Sequence, residues 1–275
     1  VIGAMKSGTD SLWRYLRAHH QVHMSDTKEL DFFVSELNRG RDLAWYRERF
    51  APVPSGVVAV GEASTSYSKY PIYAGVAERI AGTLPDARIV YLVRDPIERI
   101  RSQYLHQVLL RLEHRPIARA VLTDPSYVAF SSYALQLDRY LRCFPRDRIL
   151  VVTSERLLDD RRRAVERVLN FIGATGEPDP CALEHEHHTT TDTRVARRGI
   201  EALQRIPGYG TLSRVAPASL RRATLGVRTR GLPPVEASID PDVRQELLRR
   251  LRPDVERLRA LLGPTFDGWG LLATG

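Results

Sequence analysis

Four short apolar runs alternate along the chain with longer stretches whose apolar residues recur at helical spacing. The runs are the opening Val1-Ile2, GVVAVGE at 56–62, ARIVYLVRD at 87–95 and RILVVTSE at 148–155. They read as buried parallel strands, which lack the in-out alternation of a half-exposed sheet. Between and after them, PIYAGVAERIAGTLP at 71–85 and PIERIRSQYLHQVLLRLE at 96–113 read as crossover helices, the second with Pro96 at its first position. YALQLDRYLRCF at 133–144, SERLLDDRRRAVERVLNFIG at 154–173 and DPDVRQELLRRLRPDVERLRALLG at 240–263 complete the helical set. Ser154 is the expected cap and Gly173 the expected stop of the second of these. Strands alternating with helices predict βαβ units and a doubly wound α/β sheet, a central parallel sheet with helices on both faces. One domain is expected over residues 1–275, with an irregular excursion at about 174–235 where the pattern weakens. Ligands in such sheets sit beyond the carboxyl ends of the strands.

The loop after the first run is where candidate chemistry begins. Lys6, Ser7, Gly8, Thr9, Asp10 and Ser11 lie where an apolar run becomes an amphipathic helix. Small residues and a lysine at a helix N-terminus let backbone N–H groups and positive charge meet an anion. A nucleoside-triphosphate loop places its lysine after the last glycine, whereas Lys6 precedes Gly8. Taken alone, the stretch also fits an ordinary turn capped by Ser7 or Thr9.

A second anion clamp changes that balance. Arg94 stands at the end of the third run, Asp95-Pro96 opens a helix, and Ser102 follows about two turns along it. A guanidinium fork and a hydroxyl placed so can converge on one phosphate. In TKELDFF, Glu29 precedes a Phe32-Phe33 anchor and is a candidate general base, with a surface glutamate paired to Lys28 as its plainer reading.

Composition narrows the partners only a little. Of 275 residues 43% are hydrophobic, enough for a sizeable core, and no apolar run is long enough to span a membrane. The net charge of +8 rests almost wholly on arginine, which suits an anionic partner and equally a compositional bias. Cys143 and Cys181 are too few for a disulfide framework, so a reducing, cytoplasmic setting is expected. Val1 falls inside the first expected strand, which leaves room for an upstream segment and for targeting.

The motifs GAMKSGTDSL, KELDFF, GEASTSY and YLVRDPIERIRSQY, together with LAWYRERF and FPRDRILVVTSERLLDD, resemble those of the sulfotransferases that use 3′-phosphoadenosine 5′-phosphosulfate (PAPS). The similarity is greatest to the heparan sulfate sulfotransferase branch and its bacterial relatives. It runs from Val1 to Ala174 and returns from DPDVRQELL to FDGW. The resemblance implies a P-loop-like sheet and in-line transfer of a sulfuryl group to an acceptor hydroxyl, or as second choice an amine. PAPS is then the donor, 3′-phosphoadenosine 5′-phosphate (PAP) the product, and no metal is needed. Lys6 to Ser11 would hold the 5′-phosphosulfate, with Lys6 also meeting charge on the leaving oxygen. Arg94 and Ser102 would hold the 3′-phosphate, and Glu29 would take the acceptor proton.

The chain departs from that branch at Glu62-Ala63-Ser64, where a lysine follows the glutamate in the relatives, and it lacks their paired cysteines. The basic loop that closes on the 3′-phosphate has Arg230, with Arg228 and Gly231, as its nearest match by position. His19, His20 and His23 are alternative bases, while His185, His187 and His188 read as a polar loop before a metal site. The acceptor is expected to be a small molecule, glycan or lipid bearing a hydroxyl. A kinase would need a G-K-[ST] loop and a magnesium carboxylate, and a nucleic-acid-binding protein a basic recognition face; neither pattern is evident.

Overall fold

The computed structural model describes residues 1–184 and 237–272. Its strands are β1 (Val22–Met24), β2 (Ala59–Gly61), β3 (Ile89–Val93) and β4 (Ile149–Thr153). β1 and β2 pair in parallel with Val22 opposite Ala59, and β3 and β4 pair in parallel with Ile89 opposite Ile149. The opening segment joins the two pairs. Ile2 N–H donates to Val90 O at 3.0 Å and Ala4 N–H to Leu92 O at 2.5 Å, while Val1 O accepts from Ser64 N–H at 3.1 Å. Residues 1–4 thus occupy the middle of one layer without the regularity of a full strand.

Helices α1 (Thr9–Ala18), α2 (Ser35–Asn38), α3 (Leu43–Glu48), α4 (Val76–Thr83) and α5 (Pro96–Leu109) carry the chain through the first three crossovers. They are followed by α6 (Ile117–Thr123), α7 (Pro125–Ala129), α8 (Tyr133–Leu141), α9 (Ser154–Asp159), α10 (Arg161–Ile172), α11 (Pro180–Leu183) and α12 (Pro241–Leu262). The period-two direction of side chains splits β3 and β4 between two cores. Ile89, Tyr91, Val93, Ile149 and Val151 pack with residues of α4, α8 and the end of α12. Val90, Leu92, Leu150 and Val152 pack with Leu12 and Leu16 of α1 and Val165, Val168 and Leu169 of α10. Helices therefore cover both faces of the parallel layer. A third cluster fastens Ile97, Ile100 and Tyr104 of α5 to Val121, Tyr127 and, across the molecule, Leu247 and Leu251 of α12.

Several expectations need adjusting. β1 has only three residues, too few for a periodic signal, and was absent from the expected set. The stretch 154–173 is two helices: Thr153 caps α9 by accepting from Arg156 N–H, and Asp160 caps α10 by accepting from Arg163 N–H. Ser154 is thus inside its helix, while Gly173, at φ 88°, ends α10 as expected. The 71–85 helix shortens to α4 because Gly75, at φ 72°, is its left-handed N-cap. Pro253 lies within the continuous α12.

Next to it, Asp254 reaches out of α12 and accepts from the N–H groups of Ala134 at 2.9 Å and Leu135 at 2.8 Å. It satisfies the first turn of α8, a cap supplied from 120 residues away in sequence.

Candidate active site

The loop from β-layer to α1 is shaped by two left-handed residues, Lys6 at φ 70° and Gly8 at φ 88°. Gly8 is the N-cap of α1 and has no side chain to donate to, so neither Ser7 nor Thr9 caps the helix as an ordinary turn would require. The first-turn N–H groups of a helix have no partner within it, and the residues of that turn, Thr9, Asp10 and Ser11, line the cavity. Ser7 is fully buried beneath the loop, where its carbonyl accepts from Ser154 Oγ at 2.5 Å. Leu12 N–H donates to Gly8 O, closing the first turn.

A cavity of about 570 Å³ opens above this loop. Lys6, Gly8, Thr9, Asp10, Ser11, Glu29, Arg94 and Ser102 all line it. Residues separated by as many as 96 positions, from Lys6 to Ser102, are thereby gathered at the carboxyl ends of the strands. Ser7 supports the floor from below. Arg230 and its neighbours Arg228 and Gly231 lie outside the described residues, as do His185, His187 and His188.

Arg94 is presented by a local device. Asp95 caps α5 by accepting from Ile97 N–H at 2.8 Å and Glu98 N–H at 3.1 Å, with Pro96 behind it. Asp95 N–H in turn donates to Glu155 Oε1 at 2.9 Å, and Tyr133 Oη donates to Arg94 O at 2.7 Å. The backbone at the strand end is so fixed from two sides. The Arg94 guanidinium makes a weak 3.4 Å bond to Lys6 O and stands 3.8 Å from Glu98, which bonds Arg101 at 2.9 Å.

Glu29 sits opposite, with a left-handed backbone at φ 60° and its N–H donating to Ala63 O at 2.9 Å. One carboxylate oxygen accepts from the Thr65 N–H at 2.7 Å and hydroxyl at 3.1 Å. The other lies 3.0 Å from Lys28 Nζ, which also donates to Thr9 Oγ1 at 3.2 Å. Thr9, Lys28, Glu29 and Thr65 therefore form one chain of contacts from the anion loop to the candidate base. Behind Glu29, buried Glu62 accepts from Tyr46 at 2.8 Å, Tyr67 at 2.9 Å and Ser64 at 2.7 Å. Burial raises the Glu62 pKa against those hydrogen bonds, and Ser64 Oγ accepts from Asp31 N–H at 3.2 Å. That network anchors the turn carrying Glu29.

Positive charge is concentrated here. Burial, then the charges of Arg94 and Lys28, holds the Lys6 pKa below its ordinary 10.5. His106, on the Ser102 face of α5, also lines the cavity, and burial followed by Lys6 and Lys69 lowers its pKa. His19 and His20 stack on each other at 4.7 Å, and neither they nor His23 line the cavity.

Sequence reasoning also passed over Lys28, Thr65, Ser154, Arg101 and Arg161, all cavity-lining. Thr65 and Ser154 follow β2 and β4 within a few residues, so a search of every strand end finds them. Arg161 follows a break between two helices that read as one, and had no such signal. Among the described residues, no group of three or more His, Cys, Asp and Glu side chains is placed to hold a metal ion.

One cavity at the strand ends is thus lined by the cations Lys6, Lys28, Arg94, Arg101 and Arg161 and by the carboxylates Asp10, Glu29 and Glu98. The family model described as the sulfotransferase domain matches residues 1–198. The chain is 30% identical to human heparan sulfate glucosamine 3-O-sulfotransferase 6 over 98% of its length, spanning 72% of that protein. To mouse heparan sulfate glucosamine 3-O-sulfotransferase 3B1 it is 30% identical over 63% of this chain, and the match spans 45% of the mouse protein. Among solved structures, a sulfotransferase from Alicyclobacillus acidocaldarius superposes with TM-score 0.70 and 26% identity, covering 98% of this chain and 97% of that one. The chain belongs to the sulfotransferase family, and is an enzyme of sulfuryl transfer.

Proposed function

We propose that the protein, folded as one P-loop-like domain across residues 1–275, transfers the sulfuryl group of PAPS in line to an acceptor hydroxyl. The carrying observation is that both anion clamps and Glu29 line one cavity and that Lys28 ties Thr9 to Glu29. In this reading the N–H groups of Gly8 to Ser11 hold the 5′-phosphosulfate, and Lys6 meets the charge that builds on the bridging oxygen as the S–O bond breaks. Arg94 and Ser102 hold the 3′-phosphate. Glu29 accepts the proton as the acceptor oxygen bonds to sulfur. Sulfuryl transfer, like phosphoryl transfer, then depends chiefly on alignment and on charge stabilisation. The fit of the site to this donor rests on its own chemistry: Lys6, Lys28, Arg94, Arg101 and Arg161 all line the cavity.

The acceptor follows more loosely. The human relative's name specifies O-sulfation of glucosamine, and that of a Xenopus relative, the bifunctional heparan sulfate N-deacetylase/N-sulfotransferase 1, specifies N-sulfation. A hydroxyl of a glycan, lipid or small molecule is the preferred acceptor class, with an amine second. Calorimetry tests the donor. PAP is expected to bind at least tenfold more tightly than AMP, with magnesium making no difference. Equal affinities remove the 3′-phosphate site, and a strict magnesium requirement removes the metal-free reading of the donor site.

A further inference from the structure

Arg99 is the largest fully buried side chain in the described structure. Its Nε donates to Ser131 Oγ at 2.6 Å, and its Nη2 donates to Gln103 Oε1 at 2.7 Å and Tyr127 O at 2.9 Å. All three partners are neutral. Nη1 is buried with no hydrogen-bond partner, and among the described residues no carboxylate comes within ion-pair distance of the guanidinium. A buried charge without a counter-ion is costly to a fold, by several kcal/mol in general, so its presence asks for a compensating role.

Its position supplies one. Arg99 lies in α5 between Arg94 and Ser102, three residues before the latter and on a neighbouring stripe of the helix. Tyr133, whose hydroxyl donates to the Arg94 carbonyl, packs on the same side, and its hydroxyl and the Arg94 charge are both felt at Arg99. A charge in a low-dielectric interior with no carboxylate beside it acts over a longer range than one in water, and Arg99 shares α5 with Ser102, Leu105 and His106 of the cavity lining. Arg94 itself is partly engaged there by Glu98.

We propose that Arg99 is a positioning residue for the donor's 3′-phosphate: a buried cation behind Arg94 and Ser102 whose charge is balanced only when that phosphate binds. This rests on the donor site argued above and goes beyond it, since Arg99 does not line the cavity and touches no ligand. The folded protein carries the strain of an unmatched charge, and the 3′-phosphate dianion relieves it from a distance.

The two consequences have opposite signs, which separates this role from simple packing. Arg99→Gln and Arg99→Met remove the charge while keeping a side chain of similar length. Each is expected to leave the melting temperature of the ligand-free protein equal to or above that of the parent, while lowering the PAP-to-AMP affinity ratio about tenfold. Arg99→Lys, which keeps the charge, is expected to retain most of that ratio. Affinities come from calorimetry at fixed ionic strength, and raising the salt should narrow the gap between parent and Arg99→Gln. An unchanged PAP-to-AMP ratio in the neutral variants overturns the proposal. So does a loss of folding in all three variants, which makes Arg99 a structural residue. If the parent itself binds AMP as well as PAP, it is the donor-site reading that fails; a parent preference that survives Arg99→Gln defeats this proposal alone.

Discussion

Glu29 and Lys6 carry opposite halves of the proposed chemistry, and each can be questioned by one substitution. Glu29→Gln keeps the contact with Thr65 but cannot take a proton. Turnover is expected to fall about 10²- to 10⁴-fold with PAP affinity nearly unchanged. Following labelled sulfuryl transfer and PAP calorimetry on the same preparation checks both numbers; near-normal turnover would move the base to another group, with His106 the imidazole already in the cavity. Lys6 predicts a pH effect. The ammonium form is the one that stabilises the departing oxygen, and burial with Arg94 and Lys28 holds its pKa down. The alkaline limb of kcat/KM for the donor, which reports the free enzyme, should therefore fall at a pH below 10.5. A limb at or above that value removes Lys6 from the charge-stabilising role. Lys6 was singled out because its loop follows the opening apolar run, whereas Glu29 was singled out by the KELDFF motif and the family resemblance alone, the short β1 before it carrying no signal. Lys28 was readable only as the neighbour of Glu29, since its bond to Thr9 depends on a tertiary approach across 19 residues.

Among the elements, α8 is held by a partner from far along the chain. Asp254→Ala leaves two first-turn N–H groups of α8, Ala134 and Leu135, without their acceptor in a buried setting. A loss of about 1–3 kcal/mol is expected, measured by urea denaturation, with Asp254→Asn losing less. The loop after α5 offers a pH-dependent counterpart. Glu113 is held down at about 2, chiefly by hydrogen bonds from Arg115 and also by the N–H groups of Arg115 and His114. A carboxylate with a depressed folded pKa lends stability above its unfolded value and loses it as pH falls through the folded one. Stability should thus decline between pH 4.5 and about 2, and Glu113→Gln should flatten that part of the curve when thermal unfolding is followed across it. Periodicity found most of these helices but misplaced their ends. The single helix expected at 154–173 divides because Asp160 takes up a capping conformation that apolar spacing does not encode. β1 escaped notice because three residues carry no period, and only its register with β2 defines it.

Across the whole molecule, parallel strands with helices on both faces were legible because β3 and β4 are continuous apolar runs, each side of which feeds a different core. That Arg94, Ser102 and Glu29 share one space was expected from the resemblance and not from any local pattern, because their convergence follows from the order of strands in the layer. The middle of that layer has a further consequence for how the protein is made. Residues 1–4 bond on one side to Ser64 and on the other to Val90 and Leu92. During synthesis the segment that becomes the centre of the sheet leaves the ribosome well before either flank, and its outer ladder cannot close until the chain as far as Val93 has emerged. The anion loop hangs directly from this late-closing seam. A nascent chain arrested before β3 should consequently show neither PAP protection nor resistance to protease at Lys6, and both should appear together once β3 is free of the exit tunnel.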